Sequence, residues 1–260
     1  MKIWLIYDKF EAERNKRCIG FYFEHCRRLG IDIELKLIED IVLDTLPDVA
    51  VVRTPAPKFS ELLEKNGVLV YNSSALSHIA NDKMNTYLYL LEKGVHMPQT
   101  YLAGGDFRPP FYPIVLKPAG GHGGRDVKMI NSEKEYLDYI NSVSEKCIAQ
   151  KPVTDLGKDL RIYALGGKIF AAMLRTSRSD FRSNFCLGGE ARVYELSREE
   201  RREAEKIISF FDKGYFGVDF MFDNGKIIFN ELEDIVGARM LYTHTSLDPV
   251  GAFVDFIVNH

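Results

Sequence analysis

Residues 217–233 read GVDFMFDNGKIIFNELE, a pattern of two apolar strands around a turn. Turn residues between two β-prone runs are typical of a hairpin. If residues 223–225 form a three-residue loop, Gly225 takes the left-handed conformation that such loops need, and Phe222 pairs with Lys226. The stretch therefore predicts an acidic β-hairpin.

Three carboxylates of this hairpin are expected on one face. Side chains alternate along a strand, so Asp219 should share a face with Glu231, its diagonal neighbour, and Glu233 should continue that face. Like charges among apolar neighbours are costly without a counter-charge, and Mg²⁺ prefers carboxylate oxygens. The pattern favours a metal site, and the alternative is an acidic strand end that points into water. The apolar residues expected on this face are Met221, Ile227 and Phe229.

A lysine and a glycine-rich loop precede the hairpin. Lys117 ends the predicted strand 113–117, and residues 120–124 read GGHGG. Backbone N–H groups of such a loop and a lysine charge suit phosphate binding, although the loop could equally be a flexible turn. Lys83, in a predicted helix over 74–93, would ordinarily be a surface lysine.

Three arginines accompany these residues. Arg161 and Arg175 lie on the predicted strands 160–165 and 168–176, and Arg182 lies in a polar loop. Outward-facing strand arginines are ordinary. Three cations near an acidic hairpin would nevertheless match a site that handles both phosphate and carboxylate.

The first 70 residues alternate between strand and helix patterns, which predicts a small parallel sheet. The turn at residues 7–10 has no glycine, so a dinucleotide-binding site there is disfavoured. The remainder is predicted as a small α+β unit followed by a strand-rich, antiparallel unit.

Composition narrows the function classes. The chain has 260 residues, a net charge of −3 and four cysteines without metal-ligand spacing, which indicates a globular protein with free thiols. The near-neutral charge argues against nucleic-acid binding. No apolar run is long enough for a signal peptide or a membrane span, so we expect a cytoplasmic protein without membrane association.

Taken in order, the motifs resemble those of the ATP-grasp ligases. The likeness is greatest to the RimK-like branch, the ribosomal-protein glutamate ligases and lysine-biosynthesis carrier-protein ligases, over about residues 45–240. The motifs are NDK at 81–83, GVHMP at 94–98, VLK at 115–117 with the glycine loop, AQ at 149–150, GKDLR at 157–161, AAMLR at 171–175, DFRSN at 180–184, GVD at 217–219 and NELE at 230–233.

The resemblance implies an ATP-grasp fold of mixed α/β and α+β structure. Its parts are an N-terminal parallel α/β subdomain at 1–73, a central α+β subdomain at 74–150, and a C-terminal antiparallel-sheet subdomain at 151–260. ATP would lie between the second and third.

The same resemblance assigns roles to residues. Phosphates would meet Lys83 and Lys117, under a loop with Gly121, Gly123 and Gly124. The nucleotide would also contact the hinge residues Gln150, Lys151, Pro152 and Val153, together with Asp159 and Arg161. Catalysis would involve Arg175, Arg182 and Asn184, and two Mg²⁺ ions, with Mn²⁺ as an alternative, would bind Asp219, Glu231 and Glu233.

The implied reaction joins a carboxylate to an amine through an acyl-phosphate, with release of ADP and phosphate. The alternatives are a non-catalytic ATP-binding regulatory module and a kinase that acts on a small acid. The partners would be a small-molecule or peptide carboxylate and an amine, and a homo-oligomer is compatible with the family.

Three departures from the family pattern affect these expectations. Glu233 stands where Asn is usual, which could alter metal preference. Lys151 stands where an acid is common. Residues 234–240 lack the usual Pro-Gly run near the acceptor substrate, so substrate identity does not carry over. Arg239 is a candidate anchor for a substrate carboxylate or an internal partner of Glu233 or Asp234, and Arg53 could likewise face the cleft.

Overall fold

The N-terminal sheet is parallel, as the alternating pattern predicts. The structure is a computed structural model that describes residues 1–121, 126–177, 190–211 and 213–260. The strand order is β2-β1-β3-β4. Its elements are β1 Lys2–Tyr7, α1 Lys9–Arg14, α2 Lys16–Arg28, β2 Asp32–Leu37, a 3-10 turn Ile38–Asp40, β3 Val49–Val52, α3 Pro57–Lys65 and β4 Leu69–Tyr71. The predicted single helix over 10–29 is divided at Asn15.

The central sheet is antiparallel, with the order β5-β8-β6-β7. Helix α6 covers one face, where Tyr136 and Tyr139 pack on Ile114 and Leu116. The elements from this part of the chain are α4 Ser74–Ala80, α5 Lys83–Glu92, β5 Thr100–Ala103, β6 Ile114–Pro118, β7 Lys128–Ile130, α6 Glu133–Ser142 and β8 Cys147–Gln150.

The third sheet is also antiparallel and follows the order β11-β10-β9-β12-β13. The acidic hairpin is therefore at one edge, and β12 pairs with β9 on its other side. The elements are β9 Asp155–Leu165, β10 Lys168–Thr176, β11 Glu190–Val193, α7 Arg198–Ile208, β12 Tyr215–Asp223, β13 Lys226–Glu233, α8 Arg239–His244 and α9 Pro249–Val258.

The hydrophobic cores join segments that are distant in sequence. Helices α4 and α5 pack Leu76 and Leu90 into the core of the third sheet, against Phe216 and Phe220. Another core combines β1 and α2 with α9, through residues such as Leu5 and Phe253. The cores thus cross the predicted boundaries at 73 and 150, and the three-subdomain division remains a prediction. Within the described ranges, no helix is both long and apolar enough to cross a membrane.

Candidate active site

The hairpin turn has two residues and not the predicted three. Asp223 pairs with Lys226, and Asn224 and Gly225 connect them with φ angles of 50° and 76°. Two successive left-handed residues form the type I′ turn, whose twist matches that of the flanking strands. The prediction that Phe222 pairs with Lys226 is therefore wrong, because Asn224 can adopt the left-handed conformation as well as glycine.

A β-bulge in β13 brings Glu231 opposite Asp219. The register shifts after Asp219, so Asn230 is the extra residue of β13 and Glu231 lies directly opposite Asp219. Phe229 consequently turns to the opposite face, where its ring lies 6.3 Å from that of Phe220. Ile227 packs on that face too. The predicted apolar surroundings of the carboxylates are thus corrected, with only Met221 on the expected side.

Two arginines neutralise Asp219. Arg161, directly opposite on β9, donates from Nε and Nη2 to the two carboxylate oxygens at 2.7 Å each. Arg175 on β10 donates to Oδ2 at 2.7 Å and also bonds Asp159. Arg161 further pairs with Glu233. The result is a chain of alternating charges that ties strands β10, β9, β12 and β13 together.

Ion pairing decides the ionisation of Asp219, whose side chain is 0% exposed. Burial opposes ionisation, but the charges and hydrogen bonds of Arg161 and Arg175 outweigh it and lower the pKa to about 2. Burial also raises the pKa of Glu233, against the opposing charge of Arg161. Because the arginines already supply the counter-charge, the electrostatic argument for a metal weakens. No cluster of three or more metal-binding side chains was found among the described residues.

Lys83 is placed at the first position of α5. The predicted helix over 74–93 breaks at Asn81 and Asp82, because the Asp82 carboxylate accepts hydrogen bonds from the N–H groups of Met84 and Asn85 and starts a new helix. The Lys83 backbone N–H donates to the Ala119 carbonyl at 2.9 Å. Its position is therefore tied to the end of β6.

The Lys83 side chain connects the glycine loop to the hairpin. Its ammonium group bonds the Gly121 carbonyl and lies 3.5 Å from a carboxylate oxygen of Glu231. Glu231 keeps 23% of its side chain exposed, unlike Asp219. Glu231 thus presents a partly exposed carboxylate beside Lys83, and Glu233, at 27%, is partly exposed as well.

Lys117 is a buried cation at the end of β6. Its ammonium group donates to Gln150 Oε1 and Asn230 Oδ1, each at 2.8 Å. Burial lowers its pKa to about 8, against the attraction of Glu231 and with added repulsion from Lys83. At neutral pH it still carries a positive charge with little water around it, which suits an anionic ligand.

These side chains border a cleft between the central and third sheets. The predicted site residues that line it are Lys83, Lys117, Gly121, Gln150, Lys151, Pro152, Val153, Asp159, Arg175 and Glu231. Asp219, Glu233 and Arg161 lie behind this lining and are linked to it through Arg175. Gly123, Gly124, Arg182 and Asn184 lie outside the described residues.

Comparison with protein families identifies the family of this chain. The family model described as the RimK-like ATP-grasp domain matches residues 80–257. The chain belongs to the RimK-like ATP-grasp family. Membership confirms the resemblance seen in the motifs and places the chain in a family of ATP-dependent ligases that form amide bonds.

Relatives of this chain include ligases and synthases. Beta-citrylglutamate synthase B of Danio rerio is 29% identical over 299 residues, covering 99% of this chain and 74% of that protein. N-acetylaspartylglutamate synthase A of Mus musculus is 30% identical over 234 residues, covering 82% and 61%. A probable alpha-L-glutamate ligase of Maridesulfovibrio salexigens is 27% identical over 212 residues, covering 75% and 68%.

Solved structures confirm the predicted ATP-grasp fold. The RimK domain protein of Sphaerobacter thermophilus superposes with a TM-score of 0.75 at 17% identity, covering 98% of this chain and 99% of that one. D-alanine–D-alanine ligase of Bacillus anthracis, complexed with ATP, gives 0.76 at 17% identity, covering 100% and 96%.

Asn230 is a site residue that the sequence analysis missed in this RimK-like chain. It lines the cleft and accepts a hydrogen bond from Lys117. Strict alternation would have assigned it to the face opposite Glu231, and only the bulge brings both to one side. Thr100 was also missed. Its hydroxyl accepts from Gln150 Nε2 at 3.1 Å and so orients the amide that binds Lys117.

Residues 234–240, which follow the hairpin, differ from the family pattern. Side-chain amides of asparagines hold the start of this segment in place. The Asp234 carboxylate accepts from Asn72 and Asn81, each at 2.9 Å. Arg239 is exposed and forms no ion pair with any described residue, so an internal pairing with Glu233 or Asp234 is not seen. Arg53, by contrast, is buried and donates to the Val236 carbonyl at 2.7 Å.

Proposed function

We propose that this protein uses Mg-ATP to convert a carboxylate into an acyl-phosphate and then joins it to the amine of an amino acid. The observation that carries the proposal is the convergence of Lys83, Lys117 and Glu231 on one cleft between two sheets. Cations for phosphates and a carboxylate for a metal thus face the same space.

The nucleoside part of ATP would occupy the outer half of the cleft. Gln150 to Val153 continue from the end of β8 and would offer backbone groups to the adenine edge. Apolar side chains on both walls would contact the adenine faces, and Asp159 would lie near the ribose. The apolar lining residues are Val115, Val127, Leu156 and Met221.

The phosphates would extend to the inner end, towards Lys117 and Lys83. Carboxylate oxygens are the donors that Mg²⁺ prefers, so the donor chemistry of the hairpin fits this ion. Glu231 would hold it from the cleft wall, with Asp219 and Glu233 supporting it from behind. Bound Mg²⁺ would neutralise charge on the terminal phosphates during transfer.

The protein would promote the reaction by positioning the reactants and neutralising their negative charge. The substrate carboxylate attacks the γ-phosphorus, the bond to the β-phosphate oxygen breaks, and ADP leaves. The amine nitrogen then attacks the acyl carbon, phosphate departs, and the amine loses a proton. Arg175 would stand beside the transferred phosphoryl group, oriented by Asp159 and Asp219. Arg182 and Asn184 are proposed to join it there.

Relatives suggest glutamate as the first amine to test. The names beta-citrylglutamate synthase, N-acetylaspartylglutamate synthase and alpha-L-glutamate ligase all contain this amino acid. The acid partner is not common to those names, so it must be found by screening. A peptide or protein carboxylate stays within the proposal.

Release of ADP that requires both an acid and an amine tests the proposal. A coupled ADP assay should screen carboxylic acids against glutamate and other amino acids with Mg-ATP. Amine-independent ADP release with a stable phosphorylated acid would indicate a kinase. ATP binding without turnover for any pair would indicate a regulatory module.

Variants connect the activity to the cleft. Glu231→Gln should abolish turnover and keep the fold, because this side chain is partly exposed and its loss removes a ligand-facing charge. Asp219→Asn should also abolish turnover. The matched control is Glu199→Gln, an exposed carboxylate on α7, which should retain activity. Near-normal ADP production by Glu231→Gln would refute the mechanism.

A further inference from the structure

Arg53 is a buried cation without an acidic partner among the described residues. It is 6% exposed and follows β3 directly. Its Nη2 donates to the Val236 carbonyl, while its Nε is buried and has no acceptor. Buried charges in proteins are normally paired, so an unpaired guanidinium requires an explanation.

The groups around Arg53 are neutral. Tyr7, Tyr22, Tyr215 and Cys18 are the groups that act most strongly on its charge. Burial raises the pKa of the Tyr22 and Tyr215 phenols well above the ordinary value, so both stay uncharged near neutral pH. None of the four can neutralise the guanidinium in the folded protein.

A second buried donor without an acceptor belongs to the neighbouring core. The hydroxyl of Tyr215 is buried and has no hydrogen-bond partner among the described residues. Tyr215 lies in the same buried cluster as Val236, whose carbonyl accepts from Arg53. An anion with two oxygens could accept from both donors, as carboxylates do from arginine.

The location suits a substrate and not the nucleotide. Arg53 is at the carboxyl end of a parallel strand, where ligands of open α/β sheets bind. It does not line the nucleotide cleft. Val236, which it contacts, follows Glu233 by three residues, so the guanidinium lies within roughly 13 Å of the acidic hairpin. That separation fits a group a few bonds away from the reacting atoms.

We propose that Arg53 anchors the carboxylate of the amino-acid substrate, the one that supplies the amine. This assignment rests on the proposed ligase function and specifies its substrate class as free α-amino acids or others with a carboxylate near the amine. The reacting acid is excluded from this position because it must meet the terminal phosphate in the cleft. Tyr215 donates a second hydrogen bond to the same carboxylate.

Two amine substrates that differ only in a carboxylate or a carboxamide beside the amine test the assignment. The rate of ADP release would be compared for L-glutamate and its α-carboxamide as amines, with the same acid and Mg-ATP. The wild-type protein should prefer the carboxylate by about 10- to 100-fold in kcat/KM, the value of a hydrogen bond to a charged group. Arg53→Gln should reduce that preference to about twofold or less, with ATP KM unchanged.

Arg53→Lys and Tyr215→Phe extend the test. Lysine keeps the positive charge but lacks the planar guanidinium that bonds a carboxylate with two N–H groups, so Arg53→Lys should retain a weakened preference for the carboxylate. This variant keeps the assignment testable if Arg53→Gln does not fold. Tyr215→Phe should reduce the preference by a smaller factor. If Arg53 had a purely structural role, its replacement would lower kcat/KM equally for the carboxylate and the carboxamide. A preference that persists in Arg53→Gln would overturn the assignment. Failure of the wild type with any amine would refute the ligase proposal itself.

Discussion

Replacing Lys117 by Met should change how stability depends on pH. Lys117 is buried and bonded to Gln150 and Asn230, and its pKa in the folded protein is about 8. In the unfolded chain the pKa returns to the ordinary value of about 10.5. Between these two values the unfolded chain binds more protons, so the stability of the wild-type protein should rise with pH.

The size of the effect follows from these two pKa values. At pH 7 the folded state holds a proton that burial disfavours, and by pH 9 most of that proton has been released. The difference between the two states amounts to about 1 kcal/mol of added stability between pH 7 and pH 9. Met has a similar length and no proton to lose, so the variant should lack this gain.

Urea unfolding at pH 7 and pH 9, on both proteins, measures the effect. Other titrating groups contribute to both proteins and cancel in the comparison, so only the difference between the two pH dependences counts. Equal pH dependence in the wild type and in Lys117→Met would refute the argument. It would mean that water reaches the ammonium group and that the cleft does not hold a desolvated cation.

Three further changes test the hairpin and its supports. Arg161→Met should destabilise the fold by about 3–5 kcal/mol in urea unfolding, because Asp219 and Glu233 lose a shared counter-ion; a loss below about 1 kcal/mol would contradict a structural role for this pair. Glu233→Asn should need more Mg²⁺ for half-maximal ADP release, because a negative charge that supports the metal site from behind is removed; an unchanged Mg²⁺ and Mn²⁺ dependence would exclude that support. Gly225→Ala should cost about 1 kcal/mol in thermal unfolding, because its φ of 76° strains an L-residue; an unchanged midpoint would contradict the two-residue turn.

Local sequence signals were sufficient for much of the cleft. Lys117 at a strand end before glycines, Gln150 before Pro152, and Glu231 in the hairpin were all predicted, and all line it. Each is positioned mainly by its own strand and the adjoining turn. The parallel N-terminal sheet was predictable for the same reason, since alternation of strands and helices is a local pattern.

The arginine contacts could not be predicted because they depend on pairing between distant strands. Arg161 meets Asp219 across the β9–β12 pair, 58 residues apart in the chain. The bulge at Asn230 is likewise a feature of strand pairing and departs from the alternation that the sequence alone predicts. Break points in the helices, as at Asp82, carried a capping signal that the longer apolar periodicity obscured.

The charge balance of the site explains how ATP and metal can enter without a large electrostatic cost. The described charged groups at its inner end are Lys83, Lys117, Arg161 and Arg175, with Asp159, Asp219, Glu231 and Glu233. The four positive and four negative charges balance, so the empty site needs no metal for its stability. The proposed function would bring in a fully ionised triphosphate with two magnesium ions, whose charges also cancel. Either one alone would leave an uncompensated charge in a poorly solvated cleft. The nucleotide and its metal should therefore bind together, each strengthening the affinity for the other, which titration of ATP at varied Mg²⁺ would measure.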